Sequence, residues 1–406
     1  MLIYLYAMKK KVVIGLSGGV DSSVAAWVLK DQGYEVTGLF MKNWHDVTGV
    51  LEGDCTYEDD VVFAEMVARK IGIPFHTVDL SGPYRRRVVD YMFSEYQAGR
   101  TPNPDILCNR EIKFDSFVRE AYKLGVDTIA TGHYCRKETI FDGKNQVHRL
   151  LAGIDRKKDQ SYFLCQITQD QLEGAVFPIG NMTKTEVRKM AAELRLPTAS
   201  RKDSQGICFI GKVDLPTFLQ QKLKPKTGRT VLIPGDFAFP VFDNGLPGPD
   251  VSNEDLNAMT CPYQYNPSSG PTIGKHEGAH YFTIGQRKGI NIGGYIEPLF
   301  VLSTDSERNI LYVGEGQSHQ GLHRKGLLIR ENEIHWIRPD LAMKNGESRI
   351  YDVRIRYRQP LEKARLFRRP GGMFIIFDKL QRGMAPGQFA AWYSDDELLG
   401  SGVISS

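Results

Sequence analysis

The first candidate for chemistry is a run of small and hydroxyl-bearing residues, which reads Gly15-Leu16-Ser17-Gly18-Gly19-Val20-Asp21-Ser22-Ser23. It follows an apolar segment and leads into a segment of helical periodicity. Small residues let the backbone wrap closely around an oxyanion, and serine hydroxyls at a helix N-terminus add hydrogen-bond donors. The run matches neither the GxxxxGK(S/T) loop of lysine-dependent NTPases nor the GxGxxG turn of dinucleotide-binding proteins. We therefore predict a phosphate-binding loop of another type.

Two further loops each carry a cysteine in polar, turn-rich surroundings. Asp105 stands three residues before Cys108 in Thr101–Asn109, and Cys208 lies in Asp203–Phe209. A cysteine in such a loop can act as a soft nucleophile, for example as a persulfide. A second thiol can then reduce the remaining S–S bond. The other cysteines are expected to be inert buried residues: Cys55, Cys135, Cys165 and Cys261.

Strands and helices alternate in the half of the chain that carries these loops. The predicted strands are Lys11–Leu16, Glu35–Met41, Phe75–Leu80 and Asp127–His133. The predicted helices are Ser22–Gln32, Tyr57–Ile71, one after Pro83, Arg110–Leu124 and Thr183–Leu196. This alternation predicts a doubly wound α/β domain over residues 1–213, whose ligands bind at the C-terminal ends of the parallel strands.

The second half of the chain is predicted to be rich in β-structure. Proline and glycine become frequent near Asp214, and Phe237–Thr272 reads as an irregular insertion. Period-two patterns dominate from Leu299 onward. We predict a small β-rich domain over residues 214–298 and a β-barrel over residues 299–406. Because Arg354, Arg356 and Arg358 alternate, a strand would place all three on one face.

Composition excludes several classes of protein. The 406 residues carry 52 Lys and Arg against 48 Asp and Glu, a net charge of +4. No apolar run reaches the ~20 residues of a membrane span, the N-terminus lacks the order of a secretory signal, and six scattered cysteines do not form a disulfide framework. A cytoplasmic protein with reduced cysteines and no membrane partner is expected. Tyr351–Pro370 holds seven basic against two acidic residues, which indicates either a polyanion partner or a solvated sheet face.

The phosphate loop resembles the signature of the PP-loop, or N-type, ATP pyrophosphatases, which split ATP between the α and β phosphates to adenylate a carbonyl oxygen. Taken with Thr101–Asn109, Asp203–Phe209 and Tyr281–Gly289, it resembles the tRNA-specific 2-thiouridylases over nearly the whole chain. The resemblance implies an ATP-dependent sulfurtransferase that adenylates the 2-carbonyl oxygen of the wobble uridine and replaces it with persulfide sulfur. Its products would be AMP, pyrophosphate and 2-thiouridine in the tRNAs for Lys, Glu and Gln.

Site residues also follow from the resemblance. ATP, with Mg²⁺ expected, would contact Gly15, Leu16, Ser17, Gly18, Gly19, Val20, Asp21, Ser22, Met41 and Gly132. The C-terminal barrel would bind tRNA, and the residues in contact with tRNA would be Asn103, Pro104, Asp105, His133, Lys158, Asp159, Gln160, Arg356, Tyr357 and Gln388. Cys208 would carry the persulfide, Cys108 would be the partner thiol and nucleophile, and Asp105 would serve acid–base work. The two cysteines would form a disulfide during turnover, and no residue is assigned to a resident metal ion.

Several alternatives remain open at this stage. A PP-loop amidating ligase would need an ammonia donor and would have no use for the two loop cysteines. A nucleotide-binding tRNA or translation accessory protein would keep its function when those cysteines become serine. Thiolases that act at other tRNA positions are a third possibility. Cys108 and Cys208, with Asp105, could also hold an iron–sulfur cluster in place of a persulfide. The sulfur donor, a cysteine desulfurase or a sulfur-relay protein, is not identified by the sequence.

Overall fold

The computed structural model describes residues 10–44, 57–203 and 215–405 of the chain. Contacts between residues divide the chain into two units. The N-terminal unit comprises Met1–Val88, Pro104–Val213 and Asp396–Leu398. The C-terminal unit comprises Val89–Asn103, Asp214–Asp395 and Leu399–Ser406. Each unit therefore includes segments that are far apart in the sequence.

A parallel sheet forms the centre of the N-terminal unit. The strands described in this unit are β1 (Lys11–Gly15), β2 (Glu35–Lys42), β3 (Phe75–Asp79), β4 (Ile129–Ala130), β5 (Cys135–Phe141), β6 (Gln146–Ala152) and β7 (Ala175–Val176). Five of these described strands are parallel neighbours, in the order β3-β2-β1-β4-β7. Val12–Ile14 in the middle strand are fully buried, as expected for a parallel sheet that is covered on both faces. The predicted α/β fold is confirmed.

Helices alternate with strands along this half of the chain. Up to residue 203 they are α1 (Val20–Asp31), α2 (Tyr57–Ile71), α3 (Ser81–Tyr84), α4 (Asp90–Gln97, in the C-terminal unit), α5 (Pro104–Leu107), α6 (Phe117–Lys123), α7 (Gln169–Glu173) and α8 (Lys184–Glu193). Leu29 of α1 and Val187 of α8 share one buried cluster with Val12 and Ile14. Thr183 caps α8 through a reciprocal capping box with Glu186, which fixes the start of that helix.

Two local predictions differ from the structure, and one element was not predicted. The strand expected over Asp127–His133 consists of β4 alone, because the chain leaves the sheet after Ala130. The helix expected from Arg110 begins earlier, with α5, and continues as a π-helical segment over Cys108–Ser116 before α6. The antiparallel hairpin of β5 and β6 has no counterpart in the sequence prediction. Its strand β6 pairs with Glu397 and Leu398, which lie far along the chain.

The C-terminal unit contains a small sheet and a closed barrel. Its described helices after residue 214 are α9 (Leu215–Leu219) and α10 (Asn253–Thr260). The strands are β8 (Gly228–Leu232), β9 (Thr272–His276), β10 (Leu299–Asp305), β11 (Ile310–Glu315), β12 (His323–Trp336), β13 (Ser348–Arg354), β14 (Glu362–Arg369), β15 (Gly372–Arg382), β16 (Phe389–Ser394) and β17 (Glu397–Ile404). The first four of these described strands form a sheet in the order β10-β11-β8-β9. The last six form the barrel, which closes where β12 pairs with β17.

The barrel confirms the predicted C-terminal β-barrel fold. Its interior is filled by apolar side chains from several strands, among them Leu327, Val353, Leu366, Ile375 and Trp392. Alternation of these residues with polar ones produces the period-two pattern seen in the sequence. Among the described residues, no helix combines the length and apolar character required to cross a bilayer.

The segment predicted as an irregular insertion packs on this barrel. Leu256 of α10 lies in a buried cluster with Phe367, Phe374 and Ile376 of the neighbouring strands. The buried ammonium of Lys325 donates hydrogen bonds to two backbone carbonyls of the segment, those of Asp243 at 2.7 Å and Gly245 at 2.8 Å. The insertion is therefore anchored by an apolar contact and by a buried cation.

Candidate active site

The phosphate loop connects β1 to α1 at the C-terminal edge of the parallel sheet. The Ser17 amide donates to Ser22 Oγ at 3.2 Å, and the two hydroxyl oxygens lie 3.1 Å apart. Ser23 Oγ donates to the Gly19 carbonyl at 2.7 Å. Gly19 occupies the N-cap of α1, so no side chain caps the amides of the first turn. These amides can serve as donors to an oxyanion.

Two glycines permit the close approach of chain segments around the loop. Gly18 has a φ of +72°, and a Cβ at this position would lie 2.4 Å from the Asp60 carbonyl oxygen. Gly132 follows β4, and a Cβ there would lie 2.8 Å from the backbone nitrogen of Ser22. The resemblance implies that Gly132 lets the nucleotide approach the backbone. In the structure, its lack of a side chain lets the segment after β4 approach the first turn of α1.

Arg201 holds the loop from outside. Its guanidinium donates to the Gly18 carbonyl at 2.8 Å and forms an ion pair with Asp60 at 2.8 Å. The same group lies 4.3 Å from the centre of the Phe63 ring, and the side chain is 11% exposed. Both Asp60 and Phe63 belong to α2. Arg201 thus connects the phosphate loop to α2, a role that the sequence alone did not reveal.

A network of charged groups adjoins the first turn of α1. Asp21 Oδ1 accepts a hydrogen bond from the Tyr134 hydroxyl and one from the Lys184 ammonium, each at 2.7 Å. Lys184 also pairs with Asp203 Oδ1 at 2.8 Å. Burial, reinforced by the Asp21 charge, raises the pKa of Tyr134, so this residue remains a donor. Sequence reasoning found Asp21 and missed the residues that hold it.

Asp203 is the second carboxylate of this network. Lys158 approaches its Oδ2 at 2.6 Å, and Lys184 and Arg188 both contact its Oδ1. Burial alone would raise the pKa of Asp203, but the hydrogen bonds from Lys158 and Lys184 outweigh it and hold the pKa well below its usual range. Asp203 is therefore an anion that three cations share.

The two candidate cysteines differ in what the structure describes. Cys108 begins the π-helical segment and is 0% exposed. Cys208 lies outside the described residues, as does Cys55. Asp105, three residues before Cys108, is half-buried in α5.

The remaining cysteines test the prediction of burial. Cys135 and Cys165 are fully buried, and burial raises the pKa of Cys135 well above its usual value, so both fit an inert role. Cys261 is exposed at the end of α10, so the prediction that it is buried is wrong. The helix ends there, and its apolar face is supplied by residues such as Leu256 instead.

Six of the predicted tRNA contacts lie in the N-terminal unit: Pro104, Asp105, His133, Lys158, Asp159 and Gln160. His133 is buried between the Phe114 and Phe177 rings, and its Nδ1 is 2.7 Å from Thr131 Oγ1. Lys158 pairs with Asp203, as described above. Asp159 is buried and accepts bonds from two backbone amides, and Gln160 Oε1 accepts from the Tyr134 amide at 3.0 Å. Asp159 and Gln160 thus stabilise the loop after β6 in this state.

Four further candidates lie in the C-terminal unit: Asn103, Arg356, Tyr357 and Gln388. Gln388 Nε2 donates to the Thr101 carbonyl at 2.9 Å and to the Pro102 carbonyl at 3.0 Å. It therefore holds the segment that leads to the candidate residue Asn103. The guanidinium carbon of Arg358 lies over the Tyr357 ring, 5.2 Å from the centre of that ring.

The predicted arginine row is not formed. Strand β13 ends at Arg354, whose guanidinium stacks 5.0 Å from the Tyr393 ring centre. Arg356 lies beyond the strand and donates to the carbonyls of Ile284 and Gly383. Arg358 has a φ of +63°, which is incompatible with a continuing strand. The expectation that all three arginines share one strand face is therefore wrong.

Three family models match successive parts of the chain. The model described as tRNA methyl transferase HUP domain covers residues 10–212. The model described as tRNA methyl transferase PRC-barrel domain covers residues 264–315, and the Aminomethyltransferase beta-barrel domain covers residues 326–404. Their order agrees with an α/β unit that precedes β-rich modules.

Curated relatives match over nearly the full length. The chain is 55% identical over 397 residues to the tRNA-specific 2-thiouridylases MnmA of Christiangramia forsetii and Flavobacterium johnsoniae, which covers 98% of this chain and 100% of each relative. It is 42% identical over 397 residues to the protein of the same name from Karelsulcia muelleri, with 98% and 99% covered. Identity at this level along the whole chain shows common membership. The chain therefore belongs to the tRNA-specific 2-thiouridylase family, a family of tRNA sulfurtransferases.

Proposed function

We propose that the chain uses ATP to replace the 2-carbonyl oxygen of the wobble uridine of tRNA with sulfur, releasing AMP and pyrophosphate. The observation that carries this proposal is the phosphate loop Gly15–Ser22, beside which α1 begins with amides that no side chain caps. Those amides would donate to a phosphate oxygen of ATP. Family membership supports the substrate class, because the full-length relatives are named tRNA-specific 2-thiouridylases.

ATP would bind with Mg²⁺ beside Asp21. Asp21 Oδ1 is engaged by Tyr134 and Lys184, whereas Oδ2 has no hydrogen bond to a described residue. Within the described ranges, no group of three or more His, Cys, Asp or Glu side chains could hold a metal ion by itself. Mg²⁺ commonly takes one or two carboxylates together with substrate phosphates, so a single free carboxylate oxygen fits it. The ion would neutralise the leaving pyrophosphate.

Sulfur would pass through the two loop cysteines. A cysteine desulfurase or a relay protein would load a persulfide on Cys208, and its terminal sulfur would attack C2 of the adenylated uridine as AMP leaves. The Cys108 thiolate would then attack the S–S bond, so that sulfur remains on the base and a Cys108–Cys208 disulfide forms. A cellular reductant would restore both thiols. Asp105 would move protons near the base, and the buried thiol of Cys108 must become accessible for this step.

The predicted tRNA-binding residues would divide between two tasks. Asn103, Pro104 and Asp105 would hold the flipped uridine. Gln388 would help to select the tRNA through the Thr101–Asn103 segment that it holds. The remaining predicted contacts would bind the tRNA elsewhere: His133, Lys158, Asp159, Gln160, Arg356 and Tyr357. The tRNAs for Lys, Glu and Gln are the proposed substrates, and the cytoplasm is the proposed location.

A single-turnover assay tests this function. Protein purified without oxygen would be analysed for iron and sulfane sulfur, then mixed with ATP, Mg²⁺ and unmodified tRNA. We expect 2-thiouridine at the wobble position, stoichiometric AMP and sulfane sulfur without iron. Thiolation that requires bound iron would contradict the persulfide route, and absence of thiolation from sulfur-loaded protein would contradict the function.

The descriptions of the family models give a second candidate, which is methyl transfer to tRNA. The same assay separates the two reactions. Mass spectrometry of the nucleosides distinguishes sulfur in place of oxygen from an added methyl group. Methyl transfer would require a methyl donor and no cleavage of ATP to AMP, whereas the phosphate loop favours a reaction that consumes ATP.

A further inference from the structure

The phosphate loop lacks a cation of its own. Between Gly15 and Ser23 the only charged residue is Asp21, which is an anion. A triphosphate carries several negative charges, and cleavage between the α and β phosphates leaves a pyrophosphate with a high charge density. Backbone amides provide partial charges only. Any full positive charge that the protein itself supplies to this group, besides that of Mg²⁺, must therefore come from another part of the chain.

Lys184 is placed to supply that charge. It is the first residue of α8, where Thr183 and Glu186 form the capping box and the Lys184 amide donates to Asp155 at 2.9 Å. Its backbone is thus fixed, and its side chain, only 12% exposed, extends to Asp21. The ammonium group lies 2.7 Å from Asp21 Oδ1. No other lysine within the described residues forms an ion pair with the loop.

The charges around Lys184 are unevenly balanced. Asp203 forms ion pairs with three cations, Lys158, Lys184 and Arg188. Of these three, Lys184 also forms an ion pair with Asp21 of the loop. A lysine can rotate its ammonium from one acceptor to another because its stem is flexible. If Lys184 turned to a phosphate oxygen, Asp203 would retain two of its three cations. Asp203 would therefore stay paired, and Asp21 would keep the hydrogen bond from the Tyr134 hydroxyl.

We propose that Lys184 is the cation of the pyrophosphate subsite and that Asp203 is its counter-ion when no nucleotide is bound. The inference rests on the proposed function, since it assumes that ATP is cleaved to AMP and pyrophosphate. Asp203 competes with the pyrophosphate for Lys184. Removal of the Asp203 charge therefore strengthens the binding of pyrophosphate, whereas removal of the Lys184 charge weakens it.

Titration calorimetry with inorganic pyrophosphate and Mg²⁺ tests the proposal on the full chain. Lys184→Met keeps the apolar stem and loses the charge, so its dissociation constant rises at least about tenfold, the scale of one charge-assisted hydrogen bond. Lys184→Arg keeps the charge and stays within about threefold of wild type. Asp203→Asn binds more tightly than wild type. Lys189→Ala, on the same helix and 72% exposed, is the control and shows no change.

Three outcomes overturn the proposal. The first is unchanged binding by Lys184→Met, and the second is weaker binding by Asp203→Asn. The third is a Lys184→Met variant that loses affinity for tRNA while it keeps that for pyrophosphate, which would assign the cations to tRNA phosphates. If Lys184→Met does not fold, as judged by circular dichroism, the Asp203→Asn and Lys184→Arg results decide. The proposed function is tested separately, by measuring the 2-thiouridine that the wild-type chain forms.

Discussion

Arg201 donates a hydrogen bond to the carbonyl oxygen of Gly18 over 2.8 Å, although the two residues lie 183 positions apart. Gly18 adopts a left-handed conformation, and Asp60 fills the space next to it. The same guanidinium binds Asp60. The shape of the phosphate loop is therefore maintained by a side chain that never appears in the loop signature.

Substitution of Arg201 should loosen the loop. We expect Arg201→Ala to lower the free energy of unfolding by about 1–3 kcal/mol, because the Gly18 carbonyl and Asp60 lose a largely buried partner. The KM for ATP should rise as well, since the donors of the loop become less well ordered. Urea denaturation and a pyrophosphate-release assay measure the two effects. Arg69→Ala, an exposed arginine of α2 that pairs with Glu65, is the control. A stable variant with unchanged KM would contradict this role.

Ser17→Ala and Asp21→Ala should abolish conversion of ATP to AMP while the fold stays intact. Ser17 of the loop and Asp21 of the first turn of α1 are proposed to orient phosphates, and neither contributes a side chain to the buried cluster of the sheet. Pyrophosphate release measures the loss, and circular dichroism measures the fold. Release at the wild-type rate by both variants would refute the assignment of the loop.

Gln388→Glu should slow thiolation without a matching loss of tRNA affinity. The variant replaces the amide donor by an oxygen that repels the Thr101 and Pro102 carbonyls, so the segment before Asn103 loses its support. Loss of two hydrogen bonds corresponds to about a tenfold fall in the single-turnover rate. The exposed Gln264→Glu substitution is the control. A weaker tRNA complex with an unchanged rate would instead indicate direct contact between Gln388 and tRNA.

His133 should make the free energy of unfolding depend on pH. Burial, aided by the charge of Lys113, lowers the pKa of His133 in the folded protein. Below about pH 6.5 the unfolded chain binds a proton at this ring that the folded chain does not, so the free energy of unfolding falls as pH falls, by up to about 1.4 kcal/mol per pH unit. His133→Gln should lack this part of the slope between about pH 6.5 and 5. Urea denaturation over this range measures it, with the exposed His76→Gln as the control substitution. Equal slopes in His133→Gln and wild type would contradict the prediction.

Substitution of the two loop cysteines should block the reaction at different steps. Cys208→Ser should lose protein-bound persulfide and all thiolated product, although adenylated tRNA should still form because adenylation needs no thiol. Cys108→Ser should keep the persulfide on Cys208 and fail to complete the transfer, because nothing resolves the S–S bond. Persulfide analysis and detection of adenylated tRNA separate the two variants.

The wild-type chain provides the complementary measurement. After one turnover without reductant, Cys108 and Cys208 should be joined by a disulfide, which requires Cα atoms within roughly 7 Å at that stage. Peptide mapping identifies the crosslink. Persulfide found on Cys108 alone, or no crosslink between the two residues, would reverse the roles while the thiolation function stands.

Local patterns predicted the framework of the fold but not its long-range ties. The apolar run of β1 and the small residues after it identified the strand, the phosphate loop and the start of α1. Tyr134 and Lys184 contact Asp21 from 113 and 163 positions away, and such contacts leave no periodic signal. The hairpin of β5 and β6 was missed because β5 is half-exposed and β6 pairs with residues near the C-terminus.

The arginine row shows a different limit of sequence reasoning. Alternation from Arg354 to Arg358 describes a strand only if the backbone stays extended. The positive φ of Arg358 and the hydrogen bonds of Arg356 to Ile284 and Gly383 end that regularity. Residue types alone could not indicate where the strand would stop, because the stop depends on a neighbouring loop.

The glycine at the N-cap of α1 also bears on the stability of the protein when no nucleotide is bound. Helices α7 and α8 begin with a threonine that closes a capping box, whereas α1 begins without one. A glycine at the N-cap costs a helix roughly a few tenths of a kcal/mol relative to a capping side chain, and the protein without ligand forgoes that contribution. A bound phosphate restores it and adds the stabilisation of any ligand that binds only the folded state. A fall in ATP concentration would thus lower the resistance of this protein to heat and proteolysis, in addition to lowering its rate of reaction.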